Sequence, residues 1–276
     1  MKSSFLTQAI PLVLTAVVCG ILVLVIWLEV LILNRFTTTD ILIQVRWSDV
    51  LIGMTIYLKT SVDFAIFIGN LMSTFPGWKN RIMIEVGTAV GNALGTIIVL
   101  ALWDMFRDIK PLLALMIVWA AVVLFKLAEE GLEHTHEGSY NLPAWFYTLT
   151  DKFETVLHVI NSWTAPVIDR IMPNLSMRPT ANLTMMGLFA FSFKVPFILG
   201  LDDFAGYVPV FDIVNVFGFS IGVLSGHMIL NALLFISPQR TITIVKHPVI
   251  SLLGSVAFVL LALWGFREVA HLLSAH

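Results

Sequence analysis

Charge is scarce in this chain. Asp, Glu, Lys and Arg make up 12% of 276 residues, about half their share in an ordinary soluble domain. With 58% hydrophobic residues and a mean hydropathy of +0.91, there is more apolar surface than one soluble core could hide, so lipid is the solvent. Positive charge is not in excess either, and a net charge of −2 argues against nucleic acid as a partner. A single cysteine, Cys19, permits no intrachain disulfide. Also missing are a nucleophile–base arrangement, a glycine motif at a strand-to-helix turn and a dense His/Cys ligand set. The expectation is therefore a non-enzyme without a resident cofactor.

What the chain does have is long apolar runs. A bilayer core needs roughly 20 apolar residues per helix, and seven stretches of that kind run at 9–33, 50–72, 84–103, 111–128, 181–201, 212–236 and 248–270. Lys2 precedes the first, but its apolar run from Ile10 to Leu33 is too long for a signal-peptide core and no small-residue cleavage site follows, which makes it a permanent span. Orientation follows from the basic residues. With the N-terminus cytoplasmic, the inner segments hold Lys2, Lys79, Arg81, Lys126, Lys152, Arg170, Arg178, Arg240 and Lys246, against Arg35, Arg46, Arg107, Lys110 and Arg267 outside. The expected location is a bacterial-type inner (plasma) membrane, N-terminus inside.

The chain reads as two similar halves. The third span carries Gly87, Gly91 and Gly95, and the sixth carries Gly218, Gly222 and Gly226, both in the pattern G-x3-G-x3-G. The span before each contains Asp-Phe-Ala, at Asp63-Phe64-Ala65 and Asp203-Phe204-Ala205, and the span after each begins with a proline, Pro111 or Pro248. These features recur in one order at offsets of 140, 131 and 137 residues. Three is odd, so a second copy of a three-helix unit enters the membrane in the opposite direction, as in secondary transporters. The expected fold is all-α, with seven transmembrane helices. Residues 1–49 form an extra N-terminal helix and connection, 50–128 the first repeat, 129–180 a polar connection and 181–276 the second repeat. Glycines four apart on apolar helices let helices pack closely, which a compact six-helix core requires.

Within the connection, Trp145, Phe146, Leu149, Phe153, Val156, Ile160 and Trp163 recur at helical spacing, with Asp151, Lys152 and Glu154 on the other side. This predicts an amphipathic helix within 140–175 that lies on the bilayer surface or docks a second copy or a larger membrane complex. The acidic run Glu129 to Glu137 before it reads as a solvated loop.

Ionisable groups at membrane depth are costly and become candidates for function by default. They are Lys59, Asp63, Glu85, Lys194, Asp202, Asp203 and His227. Asp63 and the Asp202/Asp203 pair stand in equivalent places of the two halves, where they could meet near the midplane. Glu85 marks the start of its helix. The amides Asn70, Asn92, Asn215 and Asn231 lie nearby in sequence, and carboxylates with neutral oxygen ligands suit hard divalent cations. The metal-ligand candidates are therefore Asp63, Asp202, Asp203, Asn70, Asn92 and His227. Lys59 precedes Asp63 by one turn and Lys194 precedes Asp202 by about two. Ion pairs there would make the acids structural, or suit the path to anions and zwitterions.

Asp63-Phe64-Ala65-Ile66-Phe67-Ile68-Gly69-Asn70 with the basic loop Trp78-Lys79-Asn80-Arg81, and Gly200-Leu201-Asp202-Asp203-Phe204-Ala205 in the second half, resemble the LysE superfamily of exporters. Within it the arrangement is most similar to the TerC integral membrane proteins, and the repeated Asp-Phe-Ala resembles the MntP manganese exporters. The resemblance implies a six-helix inverted-repeat core plus an added helix, with Asp63 and Asp202 or Asp203 in a metal site and a divalent cation such as Mn²⁺ or Ca²⁺ as cargo. Phe64 stands where the TerC pattern has an asparagine. Three readings stay open: export of a divalent cation by alternating access, export of an amino acid or other small solute, and a non-transporting subunit that anchors a larger membrane complex.

Overall fold

The computed structural model describes residues 2–36, 40–133, 135, 140–171, 183–202, 207–211 and 213–274. Among them the chain is all-helical: α1 (Lys2–Leu33), α2 (Trp47–Thr60), α3 (Val62–Thr74), α4 (Trp78–Phe106), α5 (Lys110–Glu133), α6 (Ala144–Ile171), α7 (Met185–Asp202), a 3-10 turn at Val208–Val210, α8 (Val216–Ile236), α9 (Pro238–Val245) and α10 (Pro248–Ser274). Within these residues α1, α4, α5, α8 and α10 are long and apolar enough to cross a bilayer, and α2 with α3 adds a sixth crossing if the bent pair is one span. The outward faces agree with lipid as solvent. Val13, Val17, Ile21, Leu24 and Leu28 of α1 and Leu253, Leu260 and Leu263 of α10 are exposed apolar side chains, spaced to form stripes that water would penalise. The chain is a membrane-embedded helical protein.

Four expectations change in detail. The stretch 50–72 is not one helix: it breaks at Ser61, and the two pieces are bent by 65°. The stretch 181–201 forms the 18-residue α7. Among the described residues of this helix Met185–Lys194 is a short apolar segment, and Pro196 beyond it removes an internal backbone donor. The acidic run does not begin as a loop, since α5 continues through Glu129 and Glu130 to Glu133. The amphipathic helix forms as the 28-residue α6, but its apolar residues divide. Phe146 and Leu157 are buried with Thr150 and Asn161, while Trp145, Leu149, Val156, Ile160 and Trp163 stay exposed on a neighbouring stripe. Burial follows α5, the helix α6 packs against.

The main packing pairs are α4 with α7, α2 with α8, and α5 with α10, while α1 lies against α4 and α8. The glycines say why. A Cβ at Gly222 would run into the Val50 carbonyl, and one at Gly53 into the Phe219 carbonyl, so α2 and α8 touch backbone to backbone. Gly87 and Gly91 do the same against the Phe189 and Phe193 carbonyls of α7. Gly95 is buried on the same helix. Without a hydrophobic drive between helices in lipid, such close van der Waals contact is the chief adhesive.

The contacts also set directions. Gly218 lies against Asp49 and Gly226 against Tyr57, so α8 runs parallel to α2. Gly87 faces Phe189 and Gly91 faces Phe197, so α4 runs parallel to α7. Arg81 Nη1 donates to the Phe235 carbonyl at 2.9 Å while Thr88, further along, meets Asn231 at 3.3 Å, so α4 and α8 are antiparallel. Gly131 rests on Ser255 and Gly265 on Ile117 and Ala121, so α5 and α10 are antiparallel too.

Gly222→Leu should therefore lower the unfolding temperature in detergent, at a cost of roughly 1–3 kcal/mol from overpacking. Gly20→Leu, at a site where an added Cβ meets nothing within 4 Å, should leave it unchanged.

Candidate functional site

The helix break falls beside Asp63, the first of the candidate site aspartates. Asp63 is the second residue of α3, directly after Ser61 and Val62, and α7 ends at Asp202. The side chains of Asp63 and Asp202, and all of Asp203, lie outside the described residues. Of the other candidates, Asn70 is exposed and stands apart, whereas Asn92 and His227 are buried in the bundle. Among the described residues no three His, Cys, Asp or Glu side chains gather as a metal cluster.

A buried polar chain runs between three helices. His227, fully buried on α8, meets the Tyr57 hydroxyl of α2 at 2.6 Å through Nδ1. Its Nε2 lies 3.1 Å from Asn231 Nδ2, one turn along α8, and Asn231 Nδ2 in turn donates to Thr88 Oγ1 of α4 at 3.3 Å. Which His227 nitrogen carries the proton depends on these partners. Phe64, the residue after Asp63, packs on the His227 ring with centroids 5.2 Å apart. The chain therefore reaches the helix break through a ring contact.

Glu85 stands at the other end of this chain. It does not mark a helix start: it is eight positions into α4 and fully buried. Thr15 of α1 and Asn231 of α8 flank its carboxyl, yet neither of its oxygens has a partner in hydrogen-bond geometry. Asn231 Oδ1 and Asn92 Nδ2 are likewise without partners. Glu85, Thr88, Asn92 and Thr96 are all buried and recur at spacings of three and four residues, so they share one stripe of α4. The spacing is present in the sequence, on the face next to the glycine motif of the same helix.

The remaining polar groups hold the frame. Asn215 is the N-cap of α8, its side chain accepting from Gly218 N at 3.0 Å, while its own N–H donates to Asp49 Oδ2 at 3.1 Å; it is no site ligand. Asp49 also takes the Arg46 guanidinium at 2.8 Å. Lys59 Nζ donates to the carbonyls of Ile250 and Ser251 at 3.2 and 3.3 Å, fastening α2 to the start of α10. Lys194 is exposed. A second acidic pair lies further along α4, where Glu29 of α1 faces Asp104 and Asp104 binds Arg107 at 2.8 Å. On α5, Glu129 accepts from Asn161 Nδ2 at 2.6 Å and pairs with His158 at 2.7 Å, which docks α6.

No protein-family model, curated protein or solved structure matches the chain. The chemistry must be read from the site itself: a buried, hydrogen-bonded chain joining the broken span to a buried acid with neutral neighbours. Tyr57→Phe removes the hydroxyl and leaves His227 Nδ1 buried and unpaired, a cost of about 1–3 kcal/mol. Thermal unfolding in detergent should show that loss, whereas Thr55→Val, which touches only an exposed hydroxyl bonded to its own helix, should unfold as the parent does.

Proposed function

We propose that the chain is a secondary transporter of two inverted three-helix repeats, exporting a divalent cation by alternating access. The observation that carries this reading is the interruption of the first helix of the first half beside an aspartate: α2 and α3 part just before Asp63. Half-helix ends within a bundle leave backbone groups free to face a cargo, and lipid tolerates them only where they line a protein interior. The helix directions support the inverted arrangement. With α2 parallel to α8, α4 parallel to α7, and α4 antiparallel to α8, the first helices of the two halves run in opposite senses. The pairing is reciprocal as well, because each half packs its first helix on the glycine helix of the other. α1 stands outside this scheme.

In this reading Asp63 and Asp203 are the ligands that exchange metal for protons, the cargo being Mn²⁺-like, and the likeness to the TerC and MntP proteins supports that choice. A small organic solute as cargo would require the carboxylates to be held by Lys59 and Lys194. A specific observation favours the subunit reading: the exposed stripe Trp145, Leu149, Val156, Ile160 and Trp163 on α6 suits a partner helix or a lipid surface.

Asp63→Asn and Asp203→Asn keep size and one oxygen while removing charge. Each variant should insert and fold but lose metal-dependent flux in proteoliposomes tested with Mn²⁺, Ca²⁺, Cd²⁺ and Zn²⁺. Equal flux in both variants and the parent removes the aspartates from the site. No flux by the parent favours the subunit.

A further inference from the structure

We propose that Glu85 is the binding site of a small monovalent cation, a proton or a sodium ion, held between α1, α4 and α8. Three buried acceptor oxygens, both of Glu85 and Oδ1 of Asn231, lack a partner in full hydrogen-bond geometry, and the groups beside the Glu85 carboxyl, Thr15 and Asn231, are neutral. A carboxylate taken out of water demands a compensating charge or proton, and a carboxyl group at membrane depth without one marks a functional site.

Among the described residues no charge is paired with it. On its own helix Arg81, one turn back, turns its Nη1 to the Phe235 carbonyl, and no ion pair to Glu85 forms among the described residues. From α8 the facing groups are Asn231 and His227, whose two ring nitrogens already meet Tyr57 and Asn231. From α1 the facing group is the Thr15 hydroxyl, while Glu29 lies towards Asp104. From α7, Ser192 is buried and Lys194 is exposed. The described part of α3 brings Phe64, which packs on His227. What fits is a ligand that needs only oxygen acceptors and brings one positive charge: Glu85, Thr88 and Asn231 offer carboxylate, hydroxyl and amide oxygens, the hard donor set of an alkali ion, and the same carboxylate takes a proton.

The purpose of the site rests on the transporter reading, in which this cation is the coupling ion. The polar chain through Asn231, His227 and Tyr57 then links its occupancy to the broken span at Asp63. The existence of the site does not rest on transport.

The test is labelling of the purified full-length chain with a hydrophobic carbodiimide, which reacts with carboxylic acids and spares carboxylates and ion-bound carboxylates, read at Glu85 by mass spectrometry. In sodium-free choline buffer Glu85 should be labelled, and raising the pH should cut labelling several-fold. If the ion is sodium, sodium chloride at fixed pH should cut it too and choline chloride should not; protection by pH alone identifies a proton. In parallel, the unfolding temperature of the parent should shift with the same cation, and Glu85→Gln should abolish the shift. Absence of labelling under every condition, labelling indifferent to both pH and sodium, or a shift that survives in Glu85→Gln overturns the proposal. Because neither readout requires flux, loss of the transport reading leaves a Glu85 result standing, and metal flux with an inert Glu85 refutes the cation site alone.

Discussion

Backbone-to-backbone contact at the glycines is the constraint on which the bundle depends. At the α2–α8 crossing Gly53 and Gly222 admit the carbonyls of Phe219 and Val50, and at the α4–α7 crossing Gly87 and Gly91 admit those of Phe189 and Phe193. In lipid, helices gain little from hiding apolar surface from one another, so dense van der Waals contact must hold them. Each crossing joins an element from before the long connection to one from after it. Neither half can be displaced without opening a seam in which no side chain stands ready to fill the gap.

Those crossings also decide where polarity can be kept. Drawing α2 and α4 against α8 puts Tyr57, His227, Asn231 and Thr88 within hydrogen-bond reach in the buried interior. A low local dielectric makes each bond in such a chain stronger and each omission more costly. The omission at Glu85 is therefore a feature to be explained, and α1 contributes to it by laying Thr15 alongside. The N-terminal helix is part of the enclosure of a buried acid as well as an anchor.

Much of the fold was legible. Apolar runs of bilayer length found α1, α4, α5, α8 and α10 and the bent pair α2–α3, and the repeated glycine patterns identified packing faces because four-residue spacing on a helix has few other uses. The break at Ser61 was not legible, since Val50 to Met72 contains no proline and reads as one apolar run; only tertiary packing separates α2 from α3. Glu85 was visible as a residue and misread as a helix start, because Trp78 to Met83 looked like loop and proved to be the first turns of α4. Asn215 stood among the amides near the candidate site and is a cap, a role that depends on where α8 begins. Tyr57, the partner of His227 from 170 residues away, carried no local signal, since an apolar helix with one tyrosine has no periodicity that points at a partner.

One contact couples distant parts of the sequence mechanically. The aliphatic stem of Lys59 passes directly over Gly254, in the space where any other residue would place its Cβ, before its ammonium reaches the Ile250 and Ser251 carbonyls. Lys59 is the penultimate residue of α2, two positions before the bend at Ser61. It acts as a latch between the hinge of one span and the foot of another. A methyl group added at position 254 would displace the Lys59 side chain and so undo the latch without touching α2 itself.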